Sequence, residues 1–370
     1  MSGNENLNAF SDGPYPLRLD DLLLISAEKM ASDVHLNPAA PPIVRINGEL
    51  EPLDFPILRP EDIPAMLFPI LDAYQIRQLE EDWELDFSYS ISGISRFRGN
   101  VMRQRGSLAV TFRLVPYLAP RIEDLGLPPV IRDLCFLPRG LILVTGATGS
   151  GKSTTLAGMI DLINQNRRLN IVTVEDPIEF LHRNDKSVVK QREVGTDTKS
   201  FAEALRHVLR HDPDVILIGE MRDMDSVDIA LKAAETGHLV LSTLHTMNAP
   251  LSIRRVIDVF QDYMRSQIAQ QVAGSLQAIV AQQLLPRADG RGRIVASEVM
   301  LANPAIRNLI REGKEHQIYN VMQTSRHLGM QTMDQALADL CLEGKITREI
   351  AFQRCIDEVE LERYITGKGK

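Results

Sequence analysis

The octamer at residues 146–153 limits most narrowly what this 370-residue chain can fold into, because it reads Gly-Ala-Thr-Gly-Ser-Gly-Lys-Ser. It fits the pattern G-x-x-x-x-G-K-S and lies between a strand-like apolar run at 141–145 and a helix-like stretch at 154–166. In that context the glycines let successive backbone N–H groups point at an anion, and the helix N-terminus adds the positive end of its dipole. The sequence therefore predicts a phosphate-binding loop.

The loop also assigns roles to individual residues. We expect Lys152 to reach the β- and γ-phosphates of ATP, and the Ser153 hydroxyl to ligate Mg²⁺. Lys152 counts as catalytic too, because phosphoryl transfer depends on neutralising charge. The residues of this segment predicted to bind nucleotide are Gly146, Ala147, Thr148, Gly149, Ser150, Gly151, Lys152, Ser153 and Thr154.

Four strand-like runs alternate with helix-like stretches through the middle of the chain, at 141–145, 171–175, 215–218 and 239–243. This alternation predicts an α/β domain, with a mostly parallel sheet covered by helices. Ligands of such sheets bind at the carboxyl ends of the strands. Side chains that follow these runs are therefore candidates for the chemistry.

Carboxylates follow two of the runs. Glu220 comes after Gly219, which stands where the usual terminal aspartate would be, and we expect Glu220 to orient or polarise the attacking water. Glu175, Asp176 and Glu179 follow the run at 171–175 and bring three more carboxylates to the same edge. The alternative, a solvated loop charge, stays open for these carboxylates.

Two histidines and one arginine are further candidates. His238 and His245 flank the run at 239–243, which favours phosphate sensing or an interface relay over the hydrogen-bonded core histidine that is the common case. Arg210 lies near the end of a helix that Ser200 and Glu203 begin as a capping box. It either interacts favourably with the helix dipole or faces nucleotide or the next subunit, and the sequence leaves both open.

The first third of the chain has a different pattern, with alternating runs and an Asn47-Gly48 hairpin turn, which predicts a mixed α+β module. Prolines then cluster and favour a connector. We expect a flexible lead at 1–16, an N-terminal domain at 17–114, a Pro-rich linker at 115–130, a P-loop core at 131–285 and a mostly helical C-terminal part at 286–370.

Composition excludes other classes. The net charge of -8 and an aromatic content of 5% argue against a nucleic-acid binder, which needs basic and aromatic residues along its channel. The apolar runs are of strand length, so no membrane span is expected. Three cysteines form no C-x-x-C pair, and the polar N-terminus does not read as a secretory signal, so we expect a cytoplasmic chain.

Four segments together resemble the nucleotide motifs of secretion-superfamily ATPases. These are Gly146–Ser153 (Walker A), Val174–Phe180 (Asp box), Ile218–Asp223 (Walker B) and Thr236–Thr246 (His box). Ala31–Leu36 and Arg45–Gly48 are similar to the PAS-like N-terminal domain of that superfamily. Ala305–Ile310 resembles the C-terminal signature of the PilT family, the type IV pilus retraction ATPases of twitching motility.

The resemblance implies a hexameric ring of RecA-like domains with nucleotide at or between subunit boundaries. It implies that Glu220 is the catalytic glutamate, that Glu179 is the Asp-box acid near Mg²⁺ and water, and that His238 and His245 couple phosphate state to conformation. Arg98 and Arg113 of the N-terminal domain, with Arg210 on the same terms, are the implied arginines that close over the triphosphate. Exposed strand arginines are the alternative for Arg98 and Arg113.

The resemblance also implies partners and a location. The ring would act on an inner-membrane platform protein, and through it on pilin, from the cytoplasmic side of the inner membrane at the pilus base. It gives Ala305–Ile310 a partner-facing or motion-coupling role, whereas composition alone predicts an ordinary core-facing helix equally well.

Four alternatives remain open from the sequence. An accessory retraction ATPase of the PilU type shares the motifs, and so does a pilus-assembly or type II secretion ATPase, although the chain lacks the four-cysteine insert typical of the assembly enzymes. A RecA-like helicase or recombinase would show a basic, aromatic channel. A regulatory ring that binds ATP without hydrolysing it is the last.

Overall fold

The computed structural model describes residues 18–116 and 119–367, so the predicted lead at 1–16 lies outside the described residues. The chain divides into two compact units, with the boundary between Tyr117 and Leu118. Each unit has its own sheet and its own hydrophobic core. Among the helices of the described ranges, none has the length and apolar character needed to cross a membrane.

The first unit combines one antiparallel sheet with three helices. Its helices are α1 (Leu19–Glu28), α2 (Asp62–Leu67) and α3 (Ala73–Asp82), and its strands are β1 (Asp33–Leu36), β2 (Ile43–Ile46), β3 (Glu49–Pro52), β4 (Glu84–Ile91), β5 (Ser95–Gln104) and β6 (Ser107–Val115). The strands lie in the order β3-β2-β1-β6-β5-β4. The α+β N-terminal domain expected from the sequence is confirmed.

Alternation along the strands sends every second side chain of this sheet into the core. Phe97 and Phe112 are fully buried, and the ring of Phe112 meets that of Phe87 edge-on with 5.9 Å between the centroids. Gly99 lies opposite Phe112, where a Cβ atom would come within 2.3 Å of the Phe87 ring, so the aromatic packing requires glycine there. The residues between these aromatics point to the other face of the sheet.

The second unit is a seven-stranded sheet with helices. Its strands are β7 (Gly140–Thr145), β8 (Asn170–Glu175), β9 (Val188–Glu193), β10 (Val215–Ile218), β11 (Leu239–Leu244), β12 (Leu276–Pro286) and β13 (Arg293–Leu301). They lie in the order β13-β12-β7-β11-β10-β8-β9, and all pairs are parallel except β12 with β13. The predicted mostly parallel sheet is confirmed.

Eleven helices of the second unit are described. They are α4 (Val130–Leu134), α5 (Lys152–Asn166), α6 (Phe201–Val208), α7 (Met224–Glu235), α8 (Ala249–Asp258), α9 (Asp262–Ser275), α10 (Pro304–Arg311), α11 (Ile318–Thr324), α12 (Met333–Leu342), α13 (Arg348–Arg354) and α14 (Glu358–Thr366). Every residue of β7 is buried: Leu141 and Leu143 join one core cluster, and Ile142 and Val144 join another. The sheet is therefore buried on both faces.

Two domain boundaries drawn from the sequence differ from the structure. Much of the expected linker at 115–130 packs into the second unit, where Ile122 is buried beside α5. It packs there because the apolar residues between its prolines contact the hydrophobic core of that unit. The expected boundary at 285/286 falls at the end of β12, whose antiparallel partner β13 completes the sheet. The C-terminal part therefore contributes a strand to the P-loop core as well as helices.

The segment Ala305–Ile310 forms most of α10, and its apolar side faces the protein interior. Ile306 and Ile310 are fully buried in the core cluster, and Leu309 packs against it. Asn303 caps the helix through the backbone N–H of Ile306. These contacts are those of the core-facing alternative.

Candidate nucleotide-binding site

The predicted phosphate-binding loop connects β7 to α5, as its pattern requires. Gly146, Gly149 and Gly151 all have positive φ angles, of 140°, 78° and 92°. A Cβ atom on Gly146 would lie 2.4 Å from the carbonyl oxygen of Gln282 in β12, so the loop begins pressed against the neighbouring strand. A Cβ atom on Gly149 would meet nothing within 4 Å, so that glycine is needed only for its backbone conformation.

The Lys152 side chain lies across this loop. Its Nζ donates hydrogen bonds to the carbonyl oxygens of Gly146 at 2.9 Å and Ala147 at 3.0 Å. Burial lowers the pKa of Lys152, and the carboxylates of Glu220 and Glu179 oppose that shift in part. The ammonium group is thus placed between the loop and the two predicted catalytic carboxylates.

A cavity of about 530 Å³ opens at this edge of the sheet, where β7, β8, β10 and β11 all end. Its lining includes most of the predicted site, namely Thr148, Gly149, Gly151, Lys152, Ser153, Thr154, Glu175, Asp176, Glu179, Glu220 and His245. The convergence follows from the parallel topology, which brings the carboxyl ends of the strands together.

Glu220 has two cationic or hydrogen-bonding neighbours in the cavity. Its Oε2 lies 2.7 Å from a guanidinium nitrogen of Arg222, and its Oε1 lies 3.2 Å from Nε2 of His245. Burial alone would raise the pKa of Glu220, but the hydrogen bond and charge of Arg222, together with His245, outweigh it and lower the pKa. Glu220 is therefore held as a carboxylate.

The other acidic residues differ in their surroundings. Glu175 accepts hydrogen bonds from Thr173 at 2.6 Å and Gln191 at 3.2 Å, and burial raises its pKa. Glu179 lines the cavity, close enough to Lys152 to affect its charge. Glu175 is thus tied into the sheet, whereas Glu179 faces the space where a ligand would bind.

The groups at the loop fit a Mg²⁺–triphosphate. The hydroxyl oxygens of Thr145 and Ser150 are buried beside the loop and have no hydrogen-bond partner within the described residues. The part of the chain that the structure describes contains no cluster of three or more His, Cys, Asp or Glu side chains able to hold a metal ion alone. Mg²⁺ bound by one or two protein oxygens and by substrate phosphates needs no such cluster.

His238 and Arg210 lie before β11 and β10, at the edge of the sheet opposite the cavity, so the nucleotide roles expected for these two residues stay predictions. His238 immediately precedes β11, and its Nδ1 lies 2.9 Å from the carbonyl oxygen of Ala233. Arg210 follows α6 and precedes the start of β10. A six-residue strand such as β11 spans about 20 Å, so only His245, at its carboxyl end, reaches the cavity.

Arg98 and Arg113 belong to the first unit, where they face each other across β5 and β6. Nε of Arg113 donates a 2.8 Å hydrogen bond to Asp33 on β1, the next strand, whose carboxylate is almost buried. Burial alone would raise the pKa of Asp33, but Arg113 and Ser32 outweigh it and lower the pKa. The Arg113 side chain is two-thirds exposed, and it forms an ion pair with Asp33 on the polar face of the sheet.

Several cavity residues were not predicted. Arg222 stands two positions after Glu220, and that spacing next to a strand end was the signal that could have identified it. His182, whose pKa burial lowers to about 4, lies in an irregular loop. Leu284 and Arg293 come from β12 and β13 and carried no local signal.

A parallel sheet with a glycine-rich loop after a strand, a lysine over that loop and a carboxylate at the end of another strand defines a P-loop nucleotide-binding protein. Residues 122–353 match the family model described as Type II/IV secretion system protein. The chain belongs to this family, and its 45% identity to a PilT ATPase over 91% of its length places it within the PilT group.

Individual relatives agree over nearly the whole chain. It is 45% identical to the type IV pilus retraction ATPase PilT of Pseudomonas aeruginosa, over 91% of this chain and 97% of that protein. It is 41% identical to the type IV pilus ATPase PilU of the same organism, over 90% of this chain and 88% of that protein. A crystal structure of the pilus retraction motor PilT with bound ADP superposes with a TM-score of 0.86 at 48% identity, over 94% of this chain and 99% of that one.

Proposed function

We propose that this chain hydrolyses ATP with Mg²⁺ and uses the energy to power retraction of a type IV pilus, and hence twitching motility. The observation that carries the proposal is the cavity in which Lys152, Glu179 and Glu220 converge around the phosphate-binding loop. The retraction step itself is carried over from PilT, which this chain matches almost from end to end.

The residues around the loop divide the chemistry. Backbone N–H groups of the loop and the N-terminus of α5 bind the phosphates, and Lys152 exchanges its carbonyl partners for phosphate oxygens. Ser153 and Glu179 would hold Mg²⁺, which supplies charge neutralisation when bound. Glu220, kept ionised by Arg222 and His245, orients the attacking water and accepts its proton.

Arginines outside the cavity have a separate role in the proposal. Arg98 and Arg113 close over the triphosphate, so that closure depends on the γ-phosphate and reopening on its loss. Arg210 and His238 lie too far from the cavity of their own unit, so they would act on the nucleotide of a neighbouring subunit. Arg210 and His238 would thus give the oligomer a part in hydrolysis.

The assembly proposed is a homo-hexamer in the cytoplasm, peripherally attached at the pilus base. It acts on an inner-membrane platform protein, and through it on pilin, with no nucleic acid partner. The acidic balance of the chain, with 49 acidic against 41 basic residues, supports the last point.

ATPase assays on the purified protein test the proposed enzyme activity. We expect Mg²⁺-dependent ATP hydrolysis that Lys152→Ala abolishes, and hydrolysis near the background rate with nucleotide binding retained in Glu220→Gln. Glu358→Gln, an exposed carboxylate on α14, is the matched control and should hydrolyse ATP at the wild-type rate. Full activity in Lys152→Ala would refute the assignment of the site.

A deletion strain tests the direction of the motor. Cells that lack the protein should be hyperpiliated and should not twitch, and Glu220→Gln should fail to restore twitching. Bald cells would instead identify an assembly ATPase. Because identity to PilU is only slightly lower than to PilT, complementation of separate deletions of each motor decides between the main and the accessory retraction ATPase.

A further inference from the structure

One buried carboxylate in the second unit has no role in the chemistry proposed above. Glu298 lies on β13, with none of its surface exposed. Its Oε1 accepts a hydrogen bond from the backbone N–H of Ala249 at 2.7 Å, and its Oε2 accepts one from the Tyr319 hydroxyl at 2.9 Å. The backbone N–H of Met333 also acts to lower the pKa of this carboxyl. A buried carboxyl is costly unless hydrogen-bonded, so its two donors stabilise it where it lies.

The donor at Ala249 is the first residue of α8, directly after the segment that leaves the nucleotide site. Asn248 caps the helix through the N–H of Leu251 at 2.9 Å, and Glu298 binds the N–H that this cap leaves unsatisfied. Inside the segment, Thr246 and Ser252 share a hydrogen bond of 2.6 Å between their hydroxyls. The start of α8 is therefore fixed by a side chain from another element.

The second donor comes from a C-terminal helix. Tyr319 lies on α11, and Met333, the first residue of α12, lies close enough to affect the pKa of Glu298. Glu298 thus joins the start of α8 to the C-terminal helices.

The distance along the chain between this anchor and the nucleotide site is short. Only three residues separate His245, which lies 3.2 Å from Glu220, from Ala249. Four residue steps span at most about 14 Å, and the Thr246 hydroxyl is bonded to Ser252 of α8. A short, hydrogen-bonded segment therefore joins His245 to the start of α8.

We propose that Glu298 is a positioning residue, which holds the 246–248 segment and through it keeps His245 at hydrogen-bond distance from Glu220. The inference rests on the proposed ATPase function and adds a role to a residue outside the cavity. It makes Ala249 and Tyr319, the two donors to Glu298, part of the machinery that sets the charge of Glu220.

Removing the anchor should lower turnover without weakening nucleotide binding. We expect Glu298→Ala to reduce kcat roughly 10- to 100-fold, the size of effect that small misplacements cause, with the KM for ATP and the affinity for ADP unchanged. Glu298→Gln keeps an acceptor for the N–H of Ala249 and should recover part of the loss. Tyr319→Phe removes one donor alone and should give a smaller decrease, which keeps the test valid if Glu298→Ala does not fold.

The pH profile separates positioning from general damage. His245 helps to lower the pKa of Glu220, so its displacement raises that pKa and moves the acid limb of the kcat profile to higher pH. The groups that face Glu220 are Arg222, His245 and, further away, Lys152. Glu358→Gln is the matched control: this exposed carboxylate lies on α14, and its loss should leave the acid limb in place.

A double-mutant cycle completes the experiment. If Glu298 acts through His245, Glu298→Ala combined with His245→Ala should be no slower than His245→Ala alone. Effects that multiply, or an acid limb that does not move in Glu298→Ala, would overturn the inference while the ATPase assignment stands. A wild-type protein without ATPase activity would overturn the proposed function, and this inference with it.

Discussion

Replacing Glu298 by glutamine should change how the stability of the second unit depends on pH. Burial raises the pKa of Glu298 to about 7 from its ordinary value of 4.5, although the N–H of Ala249 and the Tyr319 hydroxyl oppose the shift, and Asp334 adds to it. The folded state therefore binds more protons than the unfolded state between these two values. Stability of the wild type is lost as pH rises through this window and levels off above about pH 7.

The magnitude follows from the same two values. A carboxyl whose pKa rises from 4.5 to about 7 on folding contributes a difference of about 3 kcal/mol between the two ends of the window. Glu298→Gln cannot ionise, so its free energy of unfolding should lack this decline. For a unit of about 250 residues, the Tm values of the two proteins should diverge by roughly 6–12 °C between pH 4.5 and pH 8.

Calorimetry and urea unfolding at half-unit steps of pH measure the divergence. The difference between variant and wild type is the quantity to follow, because contributions of the first unit and of other titrating groups largely cancel in it. Glu358→Gln, which changes an exposed carboxylate, should run parallel to the wild type. If the curves of Glu298→Gln and wild type were parallel from pH 4.5 to pH 8, the carboxyl would titrate alike in both states and the reasoning would be wrong.

Three other outcomes are expected. Gly146→Ala should lower the free energy of unfolding by about 3 kcal/mol and abolish nucleotide binding, because its Cβ atom would overlap a backbone oxygen. Gly149→Ala, whose Cβ atom would meet open space, should lower it by only about 1 kcal/mol. Urea unfolding measures the stability of each variant, and ADP titration measures its nucleotide binding. Arg222→Ala should raise the pKa of Glu220 and move the acid limb of the pH–rate profile upward, and an unmoved limb would contradict the assigned contact. Burial raises the pKa of the Cys135 thiol to about 12, so mass spectrometry should find it alkylated at neutral pH only after unfolding.

The sequence was sufficient for the four central strands of the second unit and for the loop because both depend on local signals. Runs such as 141–145 are apolar throughout, which is typical of a strand buried on both faces, and the glycine-rich octamer can be placed only between a strand and a helix. Once the strands are parallel, their carboxyl ends share an edge. Glu220 and Glu179 could therefore be predicted in one site before any distance was known.

His238 and Arg210 show what closeness in sequence leaves undecided. Both stand near strands that lead to the cavity, but each lies before its strand rather than after it. Strand direction decides the outcome, since the residue before a parallel strand lies about 20 Å from the residue after it. The pattern around His245 carried that information, because only His245 follows its strand.

Leu284 and Arg293 show what sequence patterns leave out. Both reach the cavity from β12 and β13; β12 lies beside β7 in the sheet although more than 120 positions away in the chain, and β13 lies beside β12. Their contribution depends on sheet order, and no local periodicity encodes which strand becomes the neighbour of which. The same holds for Glu298, whose donors come from α8 and α11.

The contacts of the two central charged groups link nucleotide binding to a rearrangement of the site. Lys152 is hydrogen-bonded to two carbonyl oxygens of its own loop, and Glu220 is bonded to Arg222 and His245. Hydrogen bonds to charged groups contribute about 1.5–3 kcal/mol each. A phosphate that replaces the two carbonyl oxygens as the partner of Lys152 therefore gains only the difference in free energy between the new hydrogen bonds and the old ones. A γ-phosphate that also attracts Arg222 removes one of the groups that keep Glu220 ionised, and His245 then has to maintain the carboxylate. The imidazole can do so only where the start of α8 holds it, which makes the anchor at Glu298 matter most when the triphosphate is bound.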